Sequence, residues 1–218
     1  LVVGACNATN LLDGLDGLCS GVTAIIAADV LLLATSIAGW ARFGSAPHYQ
    51  FAELSMLRAK AISGAALGFL PYNFNPASIF MGDAGSLIVG FFVALLTLRT
   101  TYYHQAQSGQ WYPVLMPAIV MAIPLYDFIS VTILRIKQGK SPFIGDTQHF
   151  SHRLKKHNLT DTQIVLTLYL ATLCTGLGAT FLYQVNLTGA FLILVQTFMV
   201  LAIIAIFETT AGNDRTNK

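Results

Sequence analysis

The run from Leu187 to Phe207 contains no charged side chain, and no other kind of feature constrains the fold of this chain as strongly. About 20 consecutive apolar residues, coiled as an α-helix, match the ~30 Å hydrocarbon core of a bilayer. Five more stretches read the same way: Leu18–Trp40, Leu54–Pro71, Ala84 to about Thr100, Tyr112–Leu134 and Thr162–Tyr183. In lipid each backbone N–H and C=O must find its partner inside the segment, which makes such spans helical. Composition agrees. The chain is 10% charged and 55% hydrophobic, whereas a soluble domain carries about 25% charged residues. The sequence therefore predicts an all-α, polytopic transmembrane helix bundle with about six complete spans. Leu1 to Cys6 reads as the tail of an interrupted helix ahead of them. Residues 1–218 are expected to form the C-terminal part of a single integral membrane domain whose N-terminal spans precede Leu1. Cys6, Cys19 and Cys174 show no metal-ligand spacing and read as small apolar residues.

Counting helices assigns the polar segments to sides. Successive spans alternate direction, so the segments at 7–17, 72–82 and 135–161 and the tail after Phe207 share one membrane face. That face holds Arg135, Lys137, Lys140, Arg153, Lys155, Lys156, Arg215 and Lys218, eight of the twelve basic residues. Cytoplasmic loops carry the excess of Lys and Arg, which predicts that this face lies in the cytoplasm.

The same face collects the residues able to do chemistry. Phe80-Met81-Gly82-Asp83-Ala84-Gly85-Ser86 sets a carboxylate among small residues just before an apolar span. Asp83 is well placed to hold a divalent cation at the water–lipid boundary, and the glycines let a diphosphate approach the backbone. A plainer reading makes Asp83 a helix cap and Gly85 and Ser86 packing residues. Asn7, Asn10, Asp13 and Asp16 lie in a second segment, with Gly14 and Gly17 following the two aspartates. Oxygen-rich sets of this kind suit Mg²⁺, which keeps few protein ligands and takes the rest from phosphates and water. A solvated turn is the alternative. A third segment places His149 and His152 three residues apart, next to Arg153 and shortly after Asp146. Such a pair can bind a diphosphate or move a proton, or can be ordinary solvated surface. His48, His104 and His157 read as surface. No HExxH, paired-cysteine or Walker A pattern is present, which leaves zinc-protease and P-loop ATPase chemistry without support. Asp29 and Asp127 lie inside predicted spans, where a charge costs about 2.5–3.5 kcal/mol on insertion scales and calls for a partner or a wet cavity.

In order and spacing, Asn7 to Leu18, Asn73 to Ser86, and Ser141-Pro142-Phe143 with Asp146, His149 and His152-Arg153-Leu154 resemble the polyprenyl-phosphate N-acetylhexosamine-1-phosphate transferases. The resemblance runs from residue 1 to about 160, beyond which only hydropathy matches. It is nearest to the bacterial undecaprenyl-phosphate GlcNAc-1-phosphate transferases of glycosyltransferase family 4, in an N-terminally truncated form. It implies Mg²⁺-dependent transfer of a HexNAc-1-phosphate, GlcNAc-1-phosphate by preference, from a UDP-sugar to undecaprenyl phosphate with release of UMP. The setting it implies is the bacterial inner membrane and an early step of cell-envelope glycan synthesis. Asp83 with Asn10 would bind Mg²⁺, or Mn²⁺ in its place. Phe80 would stack on the uracil and Asp16 would bond its edge. Asp13 and Asn73 would line the nucleotide-diphosphate site beside Asn7, while Asp146, His149, His152 and Arg153 would contact the diphosphate or sugar. Asp13, Asp83, His149 and His152 would be catalytic. Beyond the UDP-sugar, the lipid and the membrane, a homodimer is an expected partner state, and nucleic acid is not a partner. Two departures stand out. Ser151 occupies a position where many members carry another histidine, and the family's paired-aspartate motif is expected upstream of Leu1.

Three readings compete with this one. A UDP-MurNAc-pentapeptide phosphotransferase would carry a run of histidines in the third segment. An ion-coupled transporter would cluster its ionisable groups near mid-membrane, whereas most of them lie at one face here. A catalytically silent structural relative would need no complete site.

Overall fold

A computed structural model describes residues 1–41, 47–108, 111–139 and 159–213, with side chains described at 1–38, 53–99, 111–139 and 159–208. The described residues form helices without strands: α1 (Val2–Leu12), α2 (Leu18–Ala41), α3 (Pro47–Asn73), α4 (Gly82–Ser108), a 3₁₀ turn (Tyr112–Leu115), α5 (Met116–Val120), α6 (Ala122–Lys137), α7 (Asp161–Phe181) and α8 (Leu187–Asn213). This is the architecture of a multi-pass, all-α membrane bundle. Among the described residues four helices are long and apolar enough to cross a membrane, at Leu18–Ala38, Gly82–Arg99, Asp161–Phe181 and Leu187–Glu208. A fifth span results if the bent pair Tyr112–Val120 and Ala122–Lys137 counts as one. The sixth expected span, Leu54–Pro71, is helical within α3 but is not apolar enough to count on composition. Arg58 and Lys60 interrupt it.

α2 is the central post. Of its apolar window 72% is buried, against 22% for α8, so α2 is surrounded by protein while α8 turns most of its surface outward. Val22, Ile26, Val30 and Leu33 of α2 are almost fully buried, together with Ile164, Val165 and Leu168 of α7. α2 packs along α3 and α7, and α1 packs on α4 and α6. Full burial of each such aliphatic side chain contributes about 1.5–3 kcal/mol.

Several boundaries depart from the sequence reading for identifiable reasons. α1 runs on to Leu12, so the segment from Asn7 is a helix end, and the turn begins only at Asp13. α3 starts at Pro47, where the missing N–H of proline costs nothing in a first turn. α4 continues past the apolar run through polar Thr101–Ser108, because helical hydrogen bonding does not need lipid. The expected span Tyr112–Leu134 is not one helix but two, bent by 74°. Met121 leaves helical geometry at φ −94°, ψ 18°. Pro124 cannot donate to Val120, so the ladder cannot continue across the break. α7 opens on a capping box: Gln163 N–H donates to Thr160 Oγ1 at 3.3 Å, and Thr160 N–H donates to Gln163 Oε1 at 2.9 Å.

Candidate active site at the α1–α2 turn and the start of α4

α4 is stitched to α1 where both reach the same end of the bundle. An added Cβ at Gly90 would lie 2.1 Å from Thr9 Oγ1 and 2.7 Å from the Cys6 Cα. The two backbones can therefore meet only because residue 90 has no side chain. One turn along, Thr9 Oγ1 donates to the Ser86 carbonyl at 3.0 Å. Asn10 Nδ2 then donates to both Asp83 Oδ1 and Ser86 Oγ, each at 3.0 Å. These contacts fix the carboxylate of Asp83, an exposed group in the first turn of a 27-residue helix. The unpaired N–H groups and dipole of that helix end favour negative charge.

The other side of the site is the turn 13–17 lying against the loop 73–82. Asp16 Oδ2 accepts from the Ala77 N–H at 3.1 Å and from Asn75 Nδ2 at 3.4 Å. Asn73 is buried with both ends of its amide used: Nδ2 donates to the Ile79 carbonyl at 3.1 Å, and Oδ1 accepts from Ser20 Oγ at 2.7 Å. The Asn75–Pro76 peptide in this loop is cis. Asn73 thus holds the loop from within, and Asp16 clamps it from the neighbouring turn. Phe80, at the loop's end, is 74% exposed, so its ring is free on the surface.

Asp13 lies between the two sides. Partial burial pushes its carboxyl up from 3.8 to about 6, and the negative charges of Asp83 and Asp16 add to the rise while the Gly82 backbone N–H opposes it. Gly82 sits at φ +67°, a left-handed conformation that suits glycine at this close approach. Asp13 therefore feels two carboxylates, Asp16 in its own turn and Asp83 some 70 residues along the chain.

Of the sequence-predicted residues, the fold brings together Asn10, Asp13, Asp16, Asn73, Phe80 and Asp83. Asn7 is exposed on α1 and turns its amide back to the Val3 carbonyl at 2.8 Å. Asp146, His149, His152 and Arg153 lie outside the described residues. Asp29 and Asp127 are both buried. Among the described residues Asp29 Oδ2 has no hydrogen-bond partner, and it abuts Gly176 of α7, where an added Cβ would lie 1.7 Å from it. Thr9, Ser86 and Ser20 were not distinguished from packing residues by their sequence. Their part lies in contacts to chain far away, a signal that local spacing does not carry.

The residues present suit a hard divalent cation of few protein ligands. Asp13 and Asp83 supply oxygen donors whose mutual repulsion a cation would relieve. Among the described residues no group of three or more His, Cys, Asp or Glu converges to cage a metal by itself, which leaves positions for phosphate and water. In this structure Asn10 presents its amide nitrogen to Asp83, as a residue that orients the carboxylate. Turning the amide over would set two oxygens at that same spacing. An octahedral cation with ligands at about 2.1 Å needs neighbouring oxygens about 3.0 Å apart.

Residues 1–101 match the family described as glycosyl transferase family 4. The chain is 32% identical over 199 residues to a decaprenyl-phosphate N-acetylglucosaminephosphotransferase of Mycobacterium leprae, covering 87% of this chain and 49% of the relative. It is 31% identical over 204 residues to a probable undecaprenyl-phosphate N-acetylglucosaminyl 1-phosphate transferase of Bacillus subtilis, covering 94% and 52%. Over 182 residues it is 31% identical to the undecaprenyl-phosphate alpha-N-acetylglucosaminyl 1-phosphate transferase of Escherichia coli K12, covering 80% and 44%. The chain thus spans about half the length of the curated relatives it matches.

Proposed function

We propose that this chain, a relative of the polyprenyl-phosphate N-acetylglucosamine-1-phosphate transferases with its first 101 residues in glycosyl transferase family 4, is part of an enzyme of that kind. The reaction is transfer of GlcNAc-1-phosphate from UDP-GlcNAc to a polyprenyl phosphate at the cytoplasmic face of the bacterial inner membrane. The observation that carries the reading is the joining of the 13–17 turn and the end of α1 to the 73–82 loop and the start of α4, through the Asn10–Asp83 and Ala77–Asp16 hydrogen bonds, with Phe80 exposed at the loop's end. A lipid phosphate oxygen attacks the sugar-linked phosphorus, a new P–O bond forms, and the bond to UMP breaks. Mg²⁺ held by Asp83 and Asp13 would neutralise charge on the diphosphate and the departing UMP, the main contribution of a protein site to phosphoryl transfer. Asn10 orients Asp83. Phe80 offers a flat apolar face for the uracil. Asp16 and Asn73 hold the loop that presents Phe80, with Asp16 also within the nucleotide's surroundings. Asp146, His149, His152 and Arg153 would contact the diphosphate or sugar, and Asn7 would have to turn its amide from the Val3 carbonyl to reach the nucleotide-diphosphate site. An apolar groove of about 410 Å³, lined by residues such as Ile119, Leu125, Ile129, Ile133 and Leu201, offers a hydrocarbon surface for the lipid tail.

The test uses the full-length protein in lipid nanodiscs with UDP-GlcNAc, polyprenyl phosphate and Mg²⁺, measuring released UMP and the lipid-linked product. Wild-type protein should form both. Asp83→Asn, which keeps shape and removes charge, should abolish turnover with unfolding temperature retained. Near wild-type turnover and Mg²⁺ dependence in that variant would remove the metal assignment. Wild-type protein that releases no UMP would remove the transferase.

A further inference from the structure

The turn carrying Asp13 and Asp16 is held from beneath by a helix that no part of the proposed chemistry uses. Tyr169 of α7, 152 residues away in sequence, donates its hydroxyl to the Gly17 carbonyl. The same carbonyl accepts the Gly21 N–H at 2.9 Å, the bond that starts α2. Gly21 makes the approach of Tyr169 feasible, and Gly17 that of Phe74. Gly17 has φ +81°, and an added Cβ there would lie 3.0 Å from the Phe74 ring and 3.5 Å from the Tyr169 hydroxyl. At Gly21 an added Cβ would lie 1.9 Å from that hydroxyl and 2.0 Å from the ring carbon bearing it. Phe74 directly follows Asn73, which is bonded to Ser20. Gly17 is therefore where the 13–17 turn, the 73–82 loop and α7 meet.

We infer that Tyr169 is a positioning residue for the nucleotide side of this site, acting through Gly17 on Asp16 and the loop that Asp16 clamps. This rests on the proposed transferase reading. The hydroxyl fixes the height of the turn relative to α7. With it gone, Asp16 loses its fixed distance to the Ala77 N–H, and the loop bearing Phe80 loosens with it. The lipid substrate, reaching the site from the bilayer, depends less on that loop.

Tyr169→Phe in the full-length protein keeps the ring and removes the hydroxyl. UMP binding in the presence of Mg²⁺ should weaken roughly five- to tenfold, the worth of one lost hydrogen bond. KM for UDP-GlcNAc should rise similarly, while KM for polyprenyl phosphate should stay within about twofold of wild type. Gly21→Ala, whose methyl would displace the tyrosine hydroxyl, should give the same split, and it serves as the probe if the phenylalanine variant does not fold. Combined, the two changes should cost no more than the worse single one, since both remove one bond. Nucleotide and lipid KM rising together, or unchanged UMP binding in both variants, would overturn the positioning role. Wild-type protein that binds no UMP would instead count against the transferase reading itself.

Discussion

Burial, with the charges of Asp83 and Asp16, pushes the Asp13 carboxyl well above the usual carboxylate range. Its carboxyl ionises at about 6 in the fold against 3.8 free, so the folded state binds the extra proton between those values. The sign follows: its contribution to stability is fully present below about 4 and is lost as pH rises through 6. A cation needs the ionised form and competes with that proton. Apparent Mg²⁺ affinity, measured by calorimetry on the full-length protein, should fall about tenfold per pH unit below 6, and Asp13→Asn should flatten the dependence. A profile with no break near 6 would separate Asp13 from the cation. Gly90 makes a second residue-scale case. Gly90→Ala should destabilise by about 1–3 kcal/mol in thermal unfolding, because the new methyl meets the Cys6 and Ala5 backbone as well as Thr9. Unchanged stability there would mean that α1 and α4 can move apart freely.

At the scale of elements, two features decide how the bundle is assembled. α7 starts where Thr160 and Gln163 bond each other's backbone, and this fixes the end of the helix that carries Tyr169. Thr160→Ala should cost about 1 kcal/mol, read as a lowered unfolding temperature, and an unchanged value would show that tertiary packing alone sets the helix start. The break at Met121 is the other feature. The proline at 124 was visible in the sequence, but a proline inside a span can bend it slightly or interrupt it. The 74° outcome depends on α5 packing against α7 while α6 reaches α1 and α8. Those partners lie far off in the chain, so no local pattern could have told a kink from a break.

For the whole molecule, the proposed chemistry requires its polar segments to lie on one membrane face. Hydrogen bonds from Asn10 to Asp83 and from Ala77 to Asp16 join two of the three segments; the third, around Asp146 to Arg153, lies outside the described residues. In a cysteine-free background, single cysteines at Gly14 and Ala77 should be shielded from an impermeant thiol reagent in intact cells, and one at Ser108 should label. Labelling at Gly14 or Ala77 would place the site on the outer face and remove access to a cytoplasmic UDP-sugar.

Hydropathy by itself determined that the chain is a bundle of helices, because a long apolar run has no other way to satisfy its backbone in lipid. The spacing of carboxylates and glycines also marked the turn 13–17 and the start of α4, since polar residues flanking apolar spans are conspicuous by contrast. Division of labour inside the site was a matter for tertiary structure. Asn10 and Asn73 are both asparagines beside apolar helices, yet one reaches an exposed carboxylate and the other is sealed within a loop. Tyr169 reads as one more aromatic residue in a span until Gly21 lets it approach the turn. Such roles arise from contacts between segments separated by 50 to 150 residues, and a hydrogen bond is specified by where both of its ends finally lie.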